Sequence, residues 1–213
     1  MSKLRVLLVR HGESVANENG YISGSLNVPL SELGKSQGSA LGFDIWMNKI
    51  KLDAVYSSEL DRAIETAEKI LVFQTGTKSQ SEIHFIKPHL DKVRTNKKLN
   101  EMNFGEIEGT YFCDLNEEYK KIWNTLGYPD NIKGQESREE VVKRALEGIK
   151  EICQEERRSN TICIVSHGML IMLLLAKLNN VGKIVKGKLN VMKNASYVEL
   201  VYDREEESIT VAN

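Results

Sequence analysis

Val6-Leu7-Leu8-Val9-Arg10-His11-Gly12-Glu13-Ser14 passes from an unbroken apolar run straight into a cation, an imidazole and a glycine. The run is short, continuous and β-branched at both ends, which predicts a strand buried on both faces. Far along the chain the pattern returns. Thr161 to Val165 predicts a second buried strand, and Ser166-His167-Gly168 follows it. In an open parallel sheet the carboxyl ends of the strands face one crevice. Two strands that both end in His-Gly therefore predict two imidazoles at one site.

The segments between these strands alternate in type. Asn17 to Pro29 reads as a Gly-, Asn- and Ser-rich loop, and Ser31 as the N-cap of a helix reaching about Met47. That helix carries Gly34, Gly38 and Gly42, each costing it about 1 kcal/mol. Asp53 to Ser57 predicts another strand, and Ser58 with Asp61 three residues on has the spacing of a capping box. Leu60, Ala63, Ile64, Ala67, Ile70 and Leu71 keep helical spacing. From Thr75 to about Asn96 the pattern dissolves into a polar, basic surface excursion with one short strand around Ile83 to Ile86. Asp114 to Leu126 predicts a helix closed by Gly127 and Pro129, and Ser137-Arg138-Glu139-Glu140 is a capping box opening the next one. Ala195 to Val201 and Ser208 to Val211 pair as a terminal hairpin. Trp46 and Trp123 read as packing residues. The expected architecture is α/β: a three-layer sandwich, with a mostly parallel central sheet and helices on both faces. Residues 1–213 are read as a single domain, a length that buries one sizeable core.

Composition narrows the function. Hydrophobic residues make up 41% and charged residues 28%, and the formal net charge is -1. No global field then points to nucleic acid or to an anionic membrane, and neither is expected as a partner. The longest apolar run, Met169 to Ala176, is too short to cross a bilayer and reads as a buried helix. The N-terminus lacks the pattern of a signal peptide. Cys113, Cys153 and Cys163 are widely spaced and form no CxxC, as expected of reduced thiols in a cytoplasmic protein.

Two more residues join the histidines. Arg62 falls in the first turn of the helix after the strand Asp53 to Ser57, and Glu101 in a turn after the polar excursion. His11, His167, Arg10, Arg62 and Glu101 make a poor metal site, because the arginines repel a cation. The same set suits a phosphoryl group, whose oxygens match guanidinium forks. His84 and His89 lack a third partner and read as solvated loop residues.

Arg10-His11-Gly12-Glu13-Ser14 with Asn17, Ser23-Gly24, and Pro29-Leu30-Ser31-Glu32-Leu33-Gly34 come first in the chain. Ser57-Ser58-Glu59-Leu60-Asp61-Arg62-Ala63 with Thr66-Ala67, Leu99-Asn100-Glu101 with Phe104-Gly105 and Glu108-Gly109, and Val165-Ser166-His167-Gly168 follow in order. This ordered set resembles the histidine phosphatase superfamily, in the branch holding cofactor-dependent phosphoglycerate mutases and their small-molecule phosphatase relatives. The resemblance implies a phosphoglycerate mutase-like fold and a metal-independent phosphomonoesterase working through a phosphohistidine. It makes His11 the nucleophile and Glu101 the general acid and then base. Arg10, Arg62 and His167 would hold the transferring oxygens, with Asn17, Ser23 and Gly24 binding substrate at the rim. The implied partner is a small phosphorylated metabolite, with no cofactor; an oligomer stays open.

As the family goes, mutases carry a basic residue directly after the catalytic Glu and a longer, arginine-rich segment before the second histidine. Here Met102, Asn103 and Phe104 follow Glu101, and Glu106, Glu108, Asp114, Glu117 and Glu118 precede any lysine. Such charges are expected to repel a second anionic group on the substrate, which favours the phosphatase branch; the alternative is a cofactor-dependent phosphoglycerate mutase. Ser14, Asn17, Ser23 and Gly24 suit either. Gln135 separates Gly134 from Glu136, a departure that leaves Glu136 without an expected role. A non-catalytic phospho-ligand or partner-binding module is the third reading; loss of a site residue would mark it, and none of the five is lost.

Overall fold

The two His-Gly termini lie side by side because their strands pair in parallel. β1 (Lys3–Arg10) and β4 (Thr161–Ser166) run in register from Arg5 opposite Thr161 to Arg10 opposite Ser166. In the computed structural model, which describes residues 2–75, 92–126, 132–179 and 192–212, β2 (Ala54–Ser57) extends β4 in parallel. The two-residue β3 (Arg94–Thr95) extends β2 in the same sense. β5 (Tyr197–Asp203) and β6 (Ser208–Val211) form the predicted hairpin, with β5 antiparallel to β1. Among the described residues the strand order is β3-β2-β4-β1-β5-β6.

Strand alternation sends successive side chains to opposite faces, and each face is covered. Leu7, Val9, Val55, Cys163 and Val165 meet Leu41 and Ile45 of α2 (Glu32–Met47) and Ala63, Ala67 and Ile70 of α3 (Asp61–Thr75). Val6, Leu8, Tyr56, Ile162 and Ile164 meet α5 (Arg138–Glu155) and α6 (Gly168–Leu178), through residues such as Ala145, Ile149, Leu170 and Leu174. This is the expected three-layer α/β sandwich. The apolar run 169–174 of α6 is buried. No helix among the described residues is long and apolar enough to cross a membrane.

Close approach explains two of the α2 glycines. A Cβ on Gly34 would lie 1.9 Å from the Glu13 carbonyl oxygen, and one on Gly42 would lie 2.7 Å from the Phe73 ring and 2.9 Å from the Lys69 carbonyl. Helix propensity is given up there so that α2 can touch both the loop after β1 and the α3 backbone. The caps of α2 and α5 form as read: Ser31 accepts from the Gly34 N–H at 3.0 Å, and Ser137 and Glu140 close a capping box.

Four local expectations fail. The stretch read as a loop from Asn17 overlaps a helix, α1 (Val15–Asn19), capped by Ser14 with Asn17 as its reciprocal partner and ended by Gly20 at φ 74. Five residues are too few to show a period. Ser58 does not close a capping box with Asp61; its hydroxyl accepts from the Leu60 N–H at 3.2 Å, while the Asp61 N–H goes to Asn27 Oδ1 at 2.8 Å. The helix predicted from Asp114 starts later, as α4 (Glu117–Leu126), because Phe112–Asp114 form a separate 3-10 turn. Trp46 is 52% exposed on the outer side of α2, beside Phe43, rather than packed inside. The strand expected around Ile83, the loop histidines His84 and His89, the closure at Gly127 and Pro129, and the side chain of Trp123 fall outside the described residues.

Candidate active site

The parallel register of β1 and β4 delivers His11 and His167 to one point, with ring centroids 5.1 Å apart. The His11 main chain is held from both sides. Its N–H donates to the Ser166 carbonyl at 3.0 Å, and its carbonyl accepts from Ala195 N and Asn194 Nδ2, each at 3.1 Å. The ring Nδ1 lies 2.6 Å from the Gly12 carbonyl. A carbonyl only accepts, so Nδ1 carries the proton and Nε2 of the neutral ring keeps its lone pair. Gly12 is fixed in turn, its N–H donating to Thr66 Oγ1 at 3.0 Å.

Electrostatics keep both rings neutral. The His11 pKa lies well below 6.5, first because the ring is buried and then because Arg62 and Arg10 oppose a further positive charge; the bond to Gly12 pulls weakly the other way. His167 is depressed for the same leading reasons, burial and Arg62. Burial also lowers Arg62 to about 10, against the pull of Glu101 and Glu108, so it remains a cation at neutral pH.

The arginines are oriented by backbone. Arg62, 1% exposed, donates from Nη1 to the Leu26 carbonyl at 2.8 Å and from Nη2 to the Gly24 carbonyl at 2.7 Å. Arg10 Nη1 donates to the Met192 carbonyl. Arg10 Nε, Arg62 Nε and His167 Nδ1 are buried and have no protein partner. A buried donor without an acceptor costs about 1–3 kcal/mol, more when charged, so three of them around His11 mark a site built for an anion. His167 Nε2 is 2.7 Å from Ser58 Oγ. When that hydroxyl donates to Nε2, the proton of His167 sits on Nδ1, and the unpartnered atom is a donor.

Glu101 reaches the site by a route that local sequence does not display. Its Oε1 accepts from Leu170 N and Met102 N, each at 2.9 Å, and its Oε2 from Met169 N at 3.0 Å. The residue at the N-cap of α6, His167, makes no side-chain cap. A carboxylate from a distant loop therefore satisfies the first N–H groups of that helix, where its dipole favours negative charge.

All five expected site residues come together. Arg10, His11, Arg62 and Glu101 line one cavity of about 220 Å³, with Tyr21 and Phe112 among its apolar walls, and His167 is buried against His11. Asn17, Ser23 and Gly24 line the same cavity. Asn17 Oδ1 is engaged by Ser14 N and Oγ at 3.1 and 3.0 Å. Gly24 acts through its carbonyl on Arg62, and a Cβ there would lie 2.0 Å from Glu108 Oε1.

Arg62 gives two of its five N–H donors to carbonyls 24 and 26, and its buried Nε has no protein partner. One expectation changes. Glu108 is no bare repelling charge: it accepts from Ser25 N, Ser25 Oγ and Phe104 N at 2.7–2.8 Å, and so ties down the loop that holds Arg62. Ser58 and Asn194 were not anticipated as site residues. Ser58 stands 109 residues from His167 and Asn194 stands 183 from His11, separations that no local pattern bridges. Among the described residues no group of three or more His, Cys, Asp or Glu is arranged to hold a metal ion.

Paired imidazoles at parallel strand ends, ringed by arginine and histidine donors, define an α/β protein that handles phosphoryl groups. The chain belongs to the histidine phosphatase superfamily: the family model described as "Histidine phosphatase superfamily (branch 1)" matches residues 6–213. It is 30% identical to "Putative phosphoserine phosphatase 2" of Hydrogenobacter thermophilus over 213 residues, 98% of this chain and 95% of that protein. It is 25% identical to a metal-independent phosphoserine phosphatase of Arabidopsis thaliana, over 88% of this chain and 75% of that one. Among solved structures it resembles a phosphoglycerate mutase from Bacillus anthracis, with TM-score 0.75, 25% identity, and coverage of 100% of this chain and 92% of that one. It also resembles phosphoserine phosphatase from Entamoeba histolytica in complex with 3-phosphoglyceric acid, with TM-score 0.68, 25% identity, and coverage of 99% and 95%.

Proposed function

We propose that the protein is a phosphomonoesterase that hydrolyses small phosphorylated metabolites through a phosphohistidine at His11. The observation that carries this is the bond from His11 Nδ1 to Gly12, which leaves Nε2 as a nucleophile beside the unpartnered donors of Arg10, Arg62 and His167. In the first half-reaction Nε2 attacks phosphorus, the ester P–O bond breaks, and Glu101 gives its proton to the leaving oxygen. In the second, water attacks the phosphohistidine, Glu101 takes a proton from that water, and inorganic phosphate leaves as His11 is regenerated. Phosphoryl transfer asks chiefly for positioning and charge neutralisation, which the arginines and His167 supply to the three non-reacting oxygens. Names of relatives support a phosphoserine-like substrate, and a reduced cytoplasmic setting suits three free thiols.

The likeness to a phosphoglycerate mutase favours a second reading, in which the phosphoryl group returns to a sugar acid. Hydrolysis is preferred because Met102, Asn103 and Phe104 follow Glu101 without a cation. A binding-only module would need no general acid. The test is rapid quench with a radiolabelled phosphomonoester: His11 should carry an acid-labile label that is absent from His11→Ala. Glu101→Gln should lower turnover about 10²-fold or more, since general acids contribute 10²–10⁴-fold. Phosphate release that is unchanged in His11→Ala would refute the mechanism.

A further inference from the structure

Glu136, which had no expected role, is joined to the segment that carries Glu101. It stands just before the N-cap of α5, and both of its carboxylate oxygens are taken by Arg144 on that helix, from Nε at 2.6 Å and from Nη2 at 2.8 Å. The same guanidinium bonds three backbone carbonyls: Nη1 donates to Lys98 at 2.9 Å and to Asn100 at 2.6 Å, and Nη2 to Glu101 at 3.2 Å. Glu136 adds its own N–H, which donates to the Asn103 carbonyl at 2.9 Å. The backbone on either side of Glu101 is thereby pinned to α5, while the Glu101 carboxylate is pinned to α6.

We infer that Arg144 and Glu136 form a positioning pair that sets where the Glu101 carboxylate stands relative to the leaving oxygen, given the phosphomonoesterase mechanism proposed above. A planar guanidinium is suited to this task, because one rigid group serves a carboxylate and several carbonyls at once; an ammonium cannot. Glu136 holds the guanidinium plane, whose charge is among those that lower the pKa of buried His167. Neither residue lines the cavity, so both act through Glu101 rather than on the phosphate. Glu101 as general acid matters most when the leaving oxygen is a poor one. Misplacing an acid by an ångström costs up to about 10²-fold.

The test compares wild type, Glu136→Gln and Arg144→Lys on an alkyl phosphomonoester and on a nitrophenyl phosphate, whose leaving group needs little protonation. For each variant kcat/KM on the alkyl ester should fall about tenfold or more, and on the aryl ester by less than about threefold. Competitive inhibition by inorganic phosphate should be unchanged. The double variant should be no worse than Arg144→Lys alone, as expected for residues acting as a unit. An equal fall on both esters, or no fall on either, would overturn the pairing with Glu101. A second readout does not need turnover: the ¹³C carboxyl resonance of Glu101, assigned by its loss in Glu101→Gln, should shift in Glu136→Gln. If it stays in place, the positioning role is wrong whatever the kinetics. If the wild type hydrolyses no phosphomonoester, the reaction is wrong, and the resonance still decides the pair.

Discussion

His11, the proposed nucleophile, can attack only while it is neutral, and its neutrality is a property of its surroundings. Burial comes first, then the charges of Arg62 and Arg10, and His167 is held down in the same way. The consequence for stability has a definite sign. Both rings refuse protons in the folded chain that they accept near pH 6.5 when unfolded. Stability is therefore fully present above that value and is lost as pH falls below it, toward the depressed native values. Each histidine contributes a slope of about 1.4 kcal/mol per pH unit in that window. Urea unfolding from about pH 7 down to 5 should show this decline, and His11→Asn should make it shallower. A slope unchanged by His11→Asn would mean that the ring is already protonated in the native protein.

At the scale of elements, the contact between α2 and the loop after β1 is what keeps that loop in place. Alanine is a better helix former than glycine by about 1 kcal/mol, which favours Gly34→Ala in isolation. Against it stands a Cβ placed 1.9 Å from the Glu13 carbonyl oxygen, a backbone atom with no rotamer to change. Overpacking of this kind costs typically about 1–3 kcal/mol, and here it pushes on the residues next to His11. We expect Gly34→Ala to lower the urea midpoint and to reduce kcat as well. A stabilised and fully active variant would show that α2 is free to shift. Some of these elements were legible residue by residue. Ser31 and Ser137 cap their helices within three residues of themselves, so composition and spacing reveal them. Ser58 has the same local spacing, yet its hydroxyl is turned to His167 and to Leu60 N. A partner just past the end of β4 took the group that the local pattern had assigned to a cap.

At the scale of the whole molecule, the open question is which acceptor receives the phosphoryl group. A mutase must hold a second anionic group of its substrate and keep water from the phosphohistidine. Among the described residues the cations lining the cavity are Arg10 and Arg62, each already engaged with backbone carbonyls. Walls such as Tyr21 and Phe112 bring no further charge. We therefore expect substrate loss to be matched by inorganic phosphate, with 3-phosphoglycerate converted to the 2-isomer slowly at most, even when primed with a bisphosphoglycerate. Rapid interconversion with little phosphate released would transfer the protein to the mutase branch and leave His11 and His167 in place.

The sequence by itself determined the buried strands, their His-Gly ends and so the parallel α/β layering, because continuous apolar runs and helical spacing are local and survive without knowledge of partners. It also marked Arg10, His11, Arg62, Glu101 and His167 as one set, through the resemblance of the ordered motifs that carry them to a known family. Tertiary structure alone decided which partners hold these side chains. Arg62 is aimed by carbonyls 36 and 38 residues away, Glu101 caps a helix 68 residues on, and Arg144 ties Glu136 to the Glu101 loop across more than 40 residues. The reason is physical: a buried polar group must find a partner, and which partner lies within about 3 Å depends on how distant elements pack, not on the residues beside it in the chain.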